Sequence, residues 1–195
     1  MDIAVNQKLQ EELFLEVVRS KGVSIDDAIN IINSYNSKRI EELIINNEEF
    51  FLEIDYSVSV RDLLKLGKYD YIDSSIKRIK QLDISEGVKN GNFKSGALKM
   101  KIFKFKSTMP SSKIILEMKK QGYRPANIVE LLTLGYKYQN IQRVFALVAI
   151  GINGKRFFTK YYSPYLMTQN YQRQVGLDLS IYGWDSYVRF LAVSE

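Results

Sequence analysis

The side chains of this chain that can carry chemistry are its carboxylates, lysines, arginines and tyrosines, because the sequence contains neither histidine nor cysteine. Without histidine the chain lacks the commonest general base and the commonest transition-metal ligand. Without cysteine it has no thiolate nucleophile, no thiolate zinc site and no disulfide. Catalytic triads that need histidine, and zinc sites built on histidine or cysteine, are therefore excluded.

Paired carboxylates are the remaining route to hydrolytic chemistry, since two acids across a cleft can cleave a glycosidic bond. Residues 96–195 contain five acidic residues, and no two of them stand out as a pair. The sequence also has neither the glycine-rich loop of nucleotide-phosphate sites nor that of dinucleotide sites. A carboxylate hydrolase stays as a minor alternative. We expect a protein that is not an enzyme, with no catalytic residue, no cofactor and no metal site.

Tyrosines are the more informative residues, because nine of the 13 lie in residues 96–195. The segment NYQRQVGLDLSIYGWDSY (170–187) mixes tyrosine with serine, glycine, asparagine and arginine. That composition is typical of antibody-like binding surfaces. It predicts a ligand-binding surface made of Tyr171, Arg173, Asp178, Ser180, Tyr182, Trp184 and Tyr187.

Two other interpretations of these aromatic residues stay open. The rings can stack on single-stranded bases, with Arg173 and Arg189 interleaved between them. They can also simply cap a small core with their hydroxyl groups in water, and Trp184 can be structural.

Charge divides the chain unevenly. Residues 1–95 hold 13 Lys+Arg against 17 Asp+Glu, whereas residues 96–195 hold 15 against 5. A basic half suggests nucleic acid or an acidic partner, and a lysine-rich solvated surface is the plainer explanation. The alternative nucleic-acid site consists of Lys99, Lys101, Lys104, Lys106, Lys119, Lys120 and Arg124.

Strands are predicted where apolar residues alternate, at 50–56 and 97–106, and where a short apolar run occurs, at 145–151. In ALKMKIFKFK (97–106) the alternation changes phase at Ile102–Phe103, which predicts a bulge there. Its lysines are either a phosphate-binding stripe or a solvated face. A helix from 111 to 121 and a meander of short strands after 151 complete the second half.

Two similar segments, SVRDLLKLG (59–67) and NIVELLTLG (127–135), each predict a short helix; we call them the twin segments. Each begins with an N-cap residue that is followed three positions later by an acid, as in a capping box. Each ends with a glycine, Gly67 or Gly135, that is expected after the helix in a left-handed conformation. Two copies do not make a repeat protein.

The domain organisation follows from these elements. Residues 1–47 are predicted to form a small helical unit, with Ser24 capping a helix at Asp27, and 48–86 a strand with short capped helices. Residues 97–195 are predicted to form an α+β binding domain, after a glycine-rich boundary at 86–96. The acidic third helix argues against a DNA-binding helix-turn-helix. No apolar run reaches the length of a membrane span, and no signal peptide is recognised, so a cytoplasmic location is expected.

Four phrases in residues 50–195 carry a family resemblance: EIDYSVSVRDLLKLGKYDYI, GYRPANIVELLTLG, FALVAIG and WDSYVRFLAV. In this order they resemble a family of small proteins from bacteria, candidate phyla and phages, most of them uncharacterised. Some members are similar to variable proteins of diversity-generating retroelements, whose binding domains are C-type-lectin-like. The resemblance implies an α+β fold, diversified positions at about 171–188, and an association with phages. No calcium site is carried over, because the acidic-Pro-Asn loop of such lectins is missing.

We therefore predict a non-catalytic recognition protein that binds a protein or other macromolecular ligand through the aromatic and polar surface near its C-terminus. The alternative is a nucleic-acid-associated phage or anti-defence protein that binds through its basic half. The sequence makes no prediction of oligomeric state.

Overall fold

The computed structural model of the protein describes residues 48–76, 93–151, 162–178 and 183–195, together with Ser24, Asp27 and seven residues between 38 and 46. The chain divides into two compact units, Met1–Ile40 and Glu41–Glu195. In the first unit the Asp27 amide donates a hydrogen bond to Ser24 Oγ at 3.1 Å, so the predicted cap is present. The described residues from 38 to 45 are helical, and most of the predicted helical unit lies outside the described residues.

In the described part of Glu41–Glu195, eight strands and four helices are described from their first residue to their last. The strands are β1 Phe50–Ile54, β2 Tyr71–Ile72, β3 Gly96–Lys104, β4 Tyr123–Pro125, β5 Leu147–Val148, β6 Ser163–Gln169, β7 Gln172–Asp178 and β8 Arg189–Ser194. The helices are α1 Val60–Leu66, α2 Ser111–Lys120, α3 Ile128–Lys137 and α4 Ile141–Val144.

The strands form one mixed sheet in the order β1-β3-β8-β5-β6-β7-β2, and β4 pairs with β8. The β2–β7 and β5–β8 pairs are parallel, and the other pairs are antiparallel. Strands from both predicted regions, 48–86 and 97–195, join this sheet. The α+β class predicted from the sequence is confirmed.

The last strand, β8, lies inside the sheet between β3 and β5. Its residues Phe190, Leu191, Ala192 and Val193 are all buried, because elements cover it on both faces. A strand buried on both faces is a continuous apolar run instead of an alternating one.

The predicted bulge in β3 is wrong. β3 pairs with β8 in unbroken register from Met100↔Val193 to Lys104↔Arg189. Met100 and Ile102 are buried on one face, and Phe103 is buried on the other. The apolar phase changes because each face of the sheet has its own apolar layer, not because a residue is inserted.

Helix α2 covers one face of the sheet. Ile114 and Met118 of this helix pack with Phe103, Phe190 and Trp184 in a single core cluster. Trp184 stacks edge-on against Phe190 with 5.7 Å between ring centroids. Such an aromatic pair contributes about 0.5–1.5 kcal/mol beyond the area that it buries.

Helices α1 and α3, formed by the twin segments, contact each other on the opposite face, and α3 also contacts β1 and β6. Every residue of α3 from Ile128 to Gly135 is buried. The predicted N-caps are confirmed: Ser59 accepts a hydrogen bond from the Asp62 amide, and Asn127 and Glu130 form a full capping box.

The predicted left-handed glycines of the twin segments are wrong. Gly67 is right-handed, with φ −66°, and the left-handed residue after α1 is Lys68, with φ 47°. Gly135 lies within α3. The glycines are required for space: a Cβ on Gly67 would overlap the Tyr69 ring, and one on Gly135 would lie 2.5 Å from Tyr69 Oη.

Candidate recognition surface

The seven residues predicted to bind a ligand do not share one environment. Tyr171 and Tyr187 are exposed, with 92% and 64% of their surface accessible, and Asp178 is also exposed. Arg173 and Trp184 are buried, at 3% and 4%. Ser180 and Tyr182 lie outside the described residues, so their role stays a prediction.

Tyr171 stands in a strained turn. Asn170 and Tyr171 are the two residues that join β6 to β7, and Gln169 pairs with Gln172 across the base of the hairpin. Their φ angles are 49° and 63°, as in a type I′ turn, whose second position favours glycine. A tyrosine in this left-handed conformation costs on the order of 1 kcal/mol. Since the ring is exposed, burial does not offset that cost.

Arg173 is not a surface contact, and its predicted role in ligand binding is wrong. Its side chain turns inward from β7, where Nη1 donates to the Gly67 carbonyl at 2.6 Å and Nη2 donates to the Gly135 carbonyl at 2.8 Å. Nη2 also donates to Gln142 Oε1 at 3.0 Å. The guanidinium lies 4.9 Å from the centre of the Tyr69 ring. Burial lowers the pKa of Arg173 and raises that of Tyr69.

Arg173 therefore ties the twin segments together. Gly67 caps the end of α1, and Gly135 lies in the last turns of α3, where the helix dipole favours a cation. The Tyr69 ring fits against both glycines, under the same guanidinium. Because Arg173 is two residues from Tyr171, this buried anchor also fixes the base of the hairpin that presents Tyr171.

Tyr187 is presented by a second anchored loop. Trp184 pairs with Met109 through two backbone hydrogen bonds, and its indole Nε1 donates to Ser111 Oγ at 2.9 Å. Arg189 Nη1 donates to the carbonyls of Ser186 at 2.9 Å and Val188 at 3.2 Å. These bonds hold the backbone on both sides of Tyr187. Trp184 thus has the structural role that the sequence left open, and it is not an exposed contact.

Tyr171 and Tyr187 lie at the same end of the sheet. Strands β3 and β6 end there, and β2, β5, β7 and β8 begin there. Across the sheet, two to three strand spacings, about 10–14 Å, separate β8 from the β6–β7 turn, and the turn also lies about 10 Å further along the strands, because Arg189 is level with Leu166 through Leu147. Asp178 is at the other end of β7, about 20 Å along the strand. The structure therefore brings the two tyrosines together and separates Asp178 from them.

We call this end of the sheet the tyrosine end. It contains Tyr171 and Tyr187 together with the exposed cations Lys68, Lys104, Lys106 and Arg143. Arg143 Nη1 lies 3.5 Å from the carbonyl oxygen of Tyr171.

Backbone strain concentrates at the tyrosine end. The non-glycine residues with positive φ in the described part of the chain are Lys68, Asn170 and Tyr171. Asp70 N donates to the Arg173 carbonyl at 3.0 Å, which places Lys68 beside the hairpin. Strained backbone conformations cluster at functional sites, where the surrounding structure holds them in place.

The seven basic residues of the alternative site differ in pairing and exposure. Lys99 pairs with Glu49 at 2.6 Å, Lys120 with Glu117 at 2.7 Å, and Arg124 with Glu130 at 2.6 Å. Lys101 Nζ lies 5.6 Å from the centre of the Phe103 ring and 6.0 Å from that of Tyr123. The other three, Lys104, Lys106 and Lys119, are exposed and take part in none of the ion pairs between described residues.

The pairing of Arg124 belongs to a buried network around Glu130. The Glu130 carboxylate is fully buried and accepts hydrogen bonds from Arg124 Nη1 and Nη2, from the Asn127 amide and from the Tyr56 hydroxyl. Phe93 lies 5.4 Å from both the Tyr56 ring and the Arg124 guanidinium. Burial, with Glu130 as a further cause, raises the pKa of Tyr56. This carboxylate has its partners within the fold, which gives it a structural role.

The sequence did not single out Lys68 or Arg143, and no local pattern marks them. They reach the tyrosine end through the pairing of β2 with β7 and through α4, which directly precedes the start of β5. A detectable signal did exist for the turn, because Asn170-Tyr171 separates two segments of alternating character.

Comparisons with family models, curated proteins and solved structures find no match for this chain. None of the helices in the described ranges has the length and apolar character needed to cross a membrane. In the same ranges no three carboxylates are grouped as metal ligands would be.

Proposed function

We propose that this chain is a non-catalytic recognition protein that binds a macromolecular ligand through the tyrosine end. One observation carries the proposal: Tyr171 is almost fully exposed in a turn position where glycine would be unstrained. A fold gains no stability from such a residue, so a role in contact explains it better than packing does.

Rigid presentation supports the same proposal. The backbones beside Tyr171 and Tyr187 are each held by a buried or half-buried arginine, Arg173 and Arg189. Tyrosine loses little side-chain entropy on binding, and a fixed backbone lowers the ordering cost further. Two such tyrosines at one end of a sheet are suited to act as anchors.

We propose further that the domain is C-type-lectin-like and related to variable proteins of diversity-generating retroelements. The support is the resemblance of the sequence, together with a tryptophan-bearing loop that leads into the last strand, β8. Tyr171 and Tyr187 both lie within 171–188, the positions that the resemblance implies are diversified. A phage association belongs to this part of the proposal.

The proposal is tested by affinity capture with three forms of the immobilised chain: wild type, Tyr171→Ala/Tyr187→Ala, and Phe51→Ala. Phe51 is a matched control, because it is an aromatic residue that is 62% exposed on β1, away from the tyrosine end. We expect a ligand from a bacterial lysate to be retained by wild type and by the control, and lost from the double variant. Identical retention by all three would refute the tyrosine end as the binding surface. Protease and nuclease treatment of the retained material identifies its class.

A further inference from the structure

Among the described residues, the cations of the tyrosine end have no ion-pair partner. Lys68, Lys104, Lys106 and Arg143 are exposed, and none of the ion pairs between described residues involves them. Three carboxylates of the described residues lie at or beside this end: those of Asp70 and Asp185, and that of Glu41, whose Oε1 is 3.4 Å from Asn140 Nδ2 at the start of α4. That of Asp70 already accepts a hydrogen bond from the Arg173 amide at 2.7 Å. The end therefore has a net positive charge.

Cations and rings alternate across this end of the sheet. In spatial order it presents Lys104 and Lys106 of the β3 end, Tyr187, Arg143, Tyr171 and Lys68. From β3 to β2 the sheet has five strand spacings, which span about 24 Å. A fully stacked strand, with phosphates about 3.4 Å apart, would place about seven phosphates along that length, and an extended single strand would place fewer.

We infer that the ligand of the tyrosine end is a single-stranded nucleic acid, with its phosphates on these cations and unpaired bases stacked on Tyr171 and Tyr187. The inference rests on the proposed function and names the class of ligand. Exposed rings that alternate with cations fit a chain of alternating bases and phosphates. A protein partner fits less well, since the centre of a protein interface is depleted of lysine, and three of the four exposed cations at this end are lysines.

The test uses a fluorescein-labelled oligothymidylate of about 20 nucleotides, longer than the roughly 4–16 nucleotides that one binding module covers. Its affinity for wild type is measured by fluorescence anisotropy at 50 and 200 mM salt. With four phosphate contacts, the logarithm of the binding constant should fall with the logarithm of salt at a slope of about −3, a loss of about 50-fold. A duplex of equal length should bind more weakly, because its bases are not free to stack.

Variants locate the binding. Tyr171→Ala and Tyr187→Ala should each weaken it by about 5- to 150-fold, the range for loss of one stacked base. Tyr171→Phe should retain affinity, because stacking needs the ring and not the hydroxyl. Lys104→Ala/Lys106→Ala should reduce the salt slope by about 1.4. The matched charge control is Lys94→Ala/Lys119→Ala, which removes two exposed lysines away from the tyrosine end. Lys94 precedes β3, and Lys119 lies near the far end of β8. This variant should keep the wild-type salt slope.

Three results would overturn the inference: no binding at 50 mM salt, equal binding of duplex and single strand, or equal effects of the two lysine pairs. If the oligonucleotide does not bind while a protease-sensitive ligand is captured in a Tyr171- and Tyr187-dependent way, the nucleic-acid inference fails and the proposed function stands. If neither oligonucleotide nor lysate ligand depends on the tyrosines, both fail.

Discussion

Replacing Arg173 with alanine should destabilise the fold severely although it changes one side chain next to an exposed hairpin. The guanidinium is 3% exposed and donates to three acceptors, the carbonyls of Gly67 and Gly135 and Gln142 Oε1, at 2.6 to 3.0 Å. Its removal leaves these acceptors without that donor in the interior.

The magnitude follows from the acceptors. A buried acceptor that loses its donor costs about 1–3 kcal/mol, and partial hydration of the space left by the side chain places this site near the lower end. Three acceptors then give a loss of about 3–5 kcal/mol in the free energy of unfolding. That is a large share of the roughly 5–15 kcal/mol that stabilises a typical domain.

Urea denaturation followed by circular dichroism measures this loss. With a slope of about 2 kcal/mol per molar urea, the midpoint should fall by roughly 2 M. Arg173→Lys should lose less, because an ammonium can satisfy one of the helix carbonyls but cannot bridge two as the planar fork does. The matched control is Arg143→Ala, an exposed arginine at the same end, which should change stability by less than about 0.5 kcal/mol.

The outcome that would refute this account is a loss below about 1 kcal/mol for Arg173→Ala, which is the average cost of an ordinary substitution. The guanidinium would then not hold the two helices, and the rigidity argued for Tyr171 would lose its support. A large loss that Arg173→Lys fully restores would show that charge alone matters and the bridging geometry does not.

Three further predictions concern the turn, one glycine and the buried tyrosines. Tyr171→Gly should raise stability by about 1 kcal/mol in thermal or urea denaturation, because it relieves the left-handed tyrosine; an unchanged or lower stability would mean that the turn is not strained. Gly135→Ala should lower the free energy of unfolding by about 1–3 kcal/mol, since the added Cβ would lie 2.5 Å from Tyr69 Oη. Helix propensity alone would instead raise it by up to about 1 kcal/mol, so a gain in stability would contradict the overlap with Tyr69. Burial raises the pKa of Tyr56 and of Tyr69, and burial and Glu49 raise that of Tyr123 to about 12. These tyrosines therefore ionise at lower pH in the unfolded chain than in the folded one. The free energy of unfolding should decline as pH rises above about 10. Tyrosinate absorbance should then show these three groups ionising only with alkaline unfolding, and their ionisation near pH 10 in the folded state would contradict the assignment.

Local interactions are the part of the structure that the sequence predicts well. Ser24, Ser59 and Asn127 act as caps, because a cap is decided within three residues of the helix start. The strands predicted at 50–56 and 97–106 are present at 50–54 and 96–104, for the same kind of reason, since the prediction comes from alternation within a few residues. Their order in the sheet had no local signal.

Predictions failed where a residue's environment comes from distant parts of the chain. Arg173 resembled a surface residue among polar neighbours, but its acceptors Gly67 and Gly135 are 106 and 38 residues away. The glycines themselves were expected for their backbone freedom, whereas the structure needs them for the space taken by Tyr69. Composition identifies side chains that can bind a ligand, and it cannot distinguish them from those that bind the protein's own helices.

Sheet topology decides which of the predicted contact residues can act together. Tyr171 and Asp178 belong to one short segment, yet β7 runs between them and places them at opposite ends. Tyr187 is further from Tyr171 in sequence, but β8 returns to the middle of the sheet and begins at the end where the β6–β7 hairpin turns. The anchors Arg173 and Arg189 belong to the same two strands, and their hydrogen bonds do not involve the side chains of the exposed tyrosines, so substitutions at those tyrosines leave the anchors in place. A surface built this way can change its contact residues without changing its fold, which is what a recognition protein requires. Tyr171→Ala and Tyr187→Ala should therefore each leave the melting temperature unchanged.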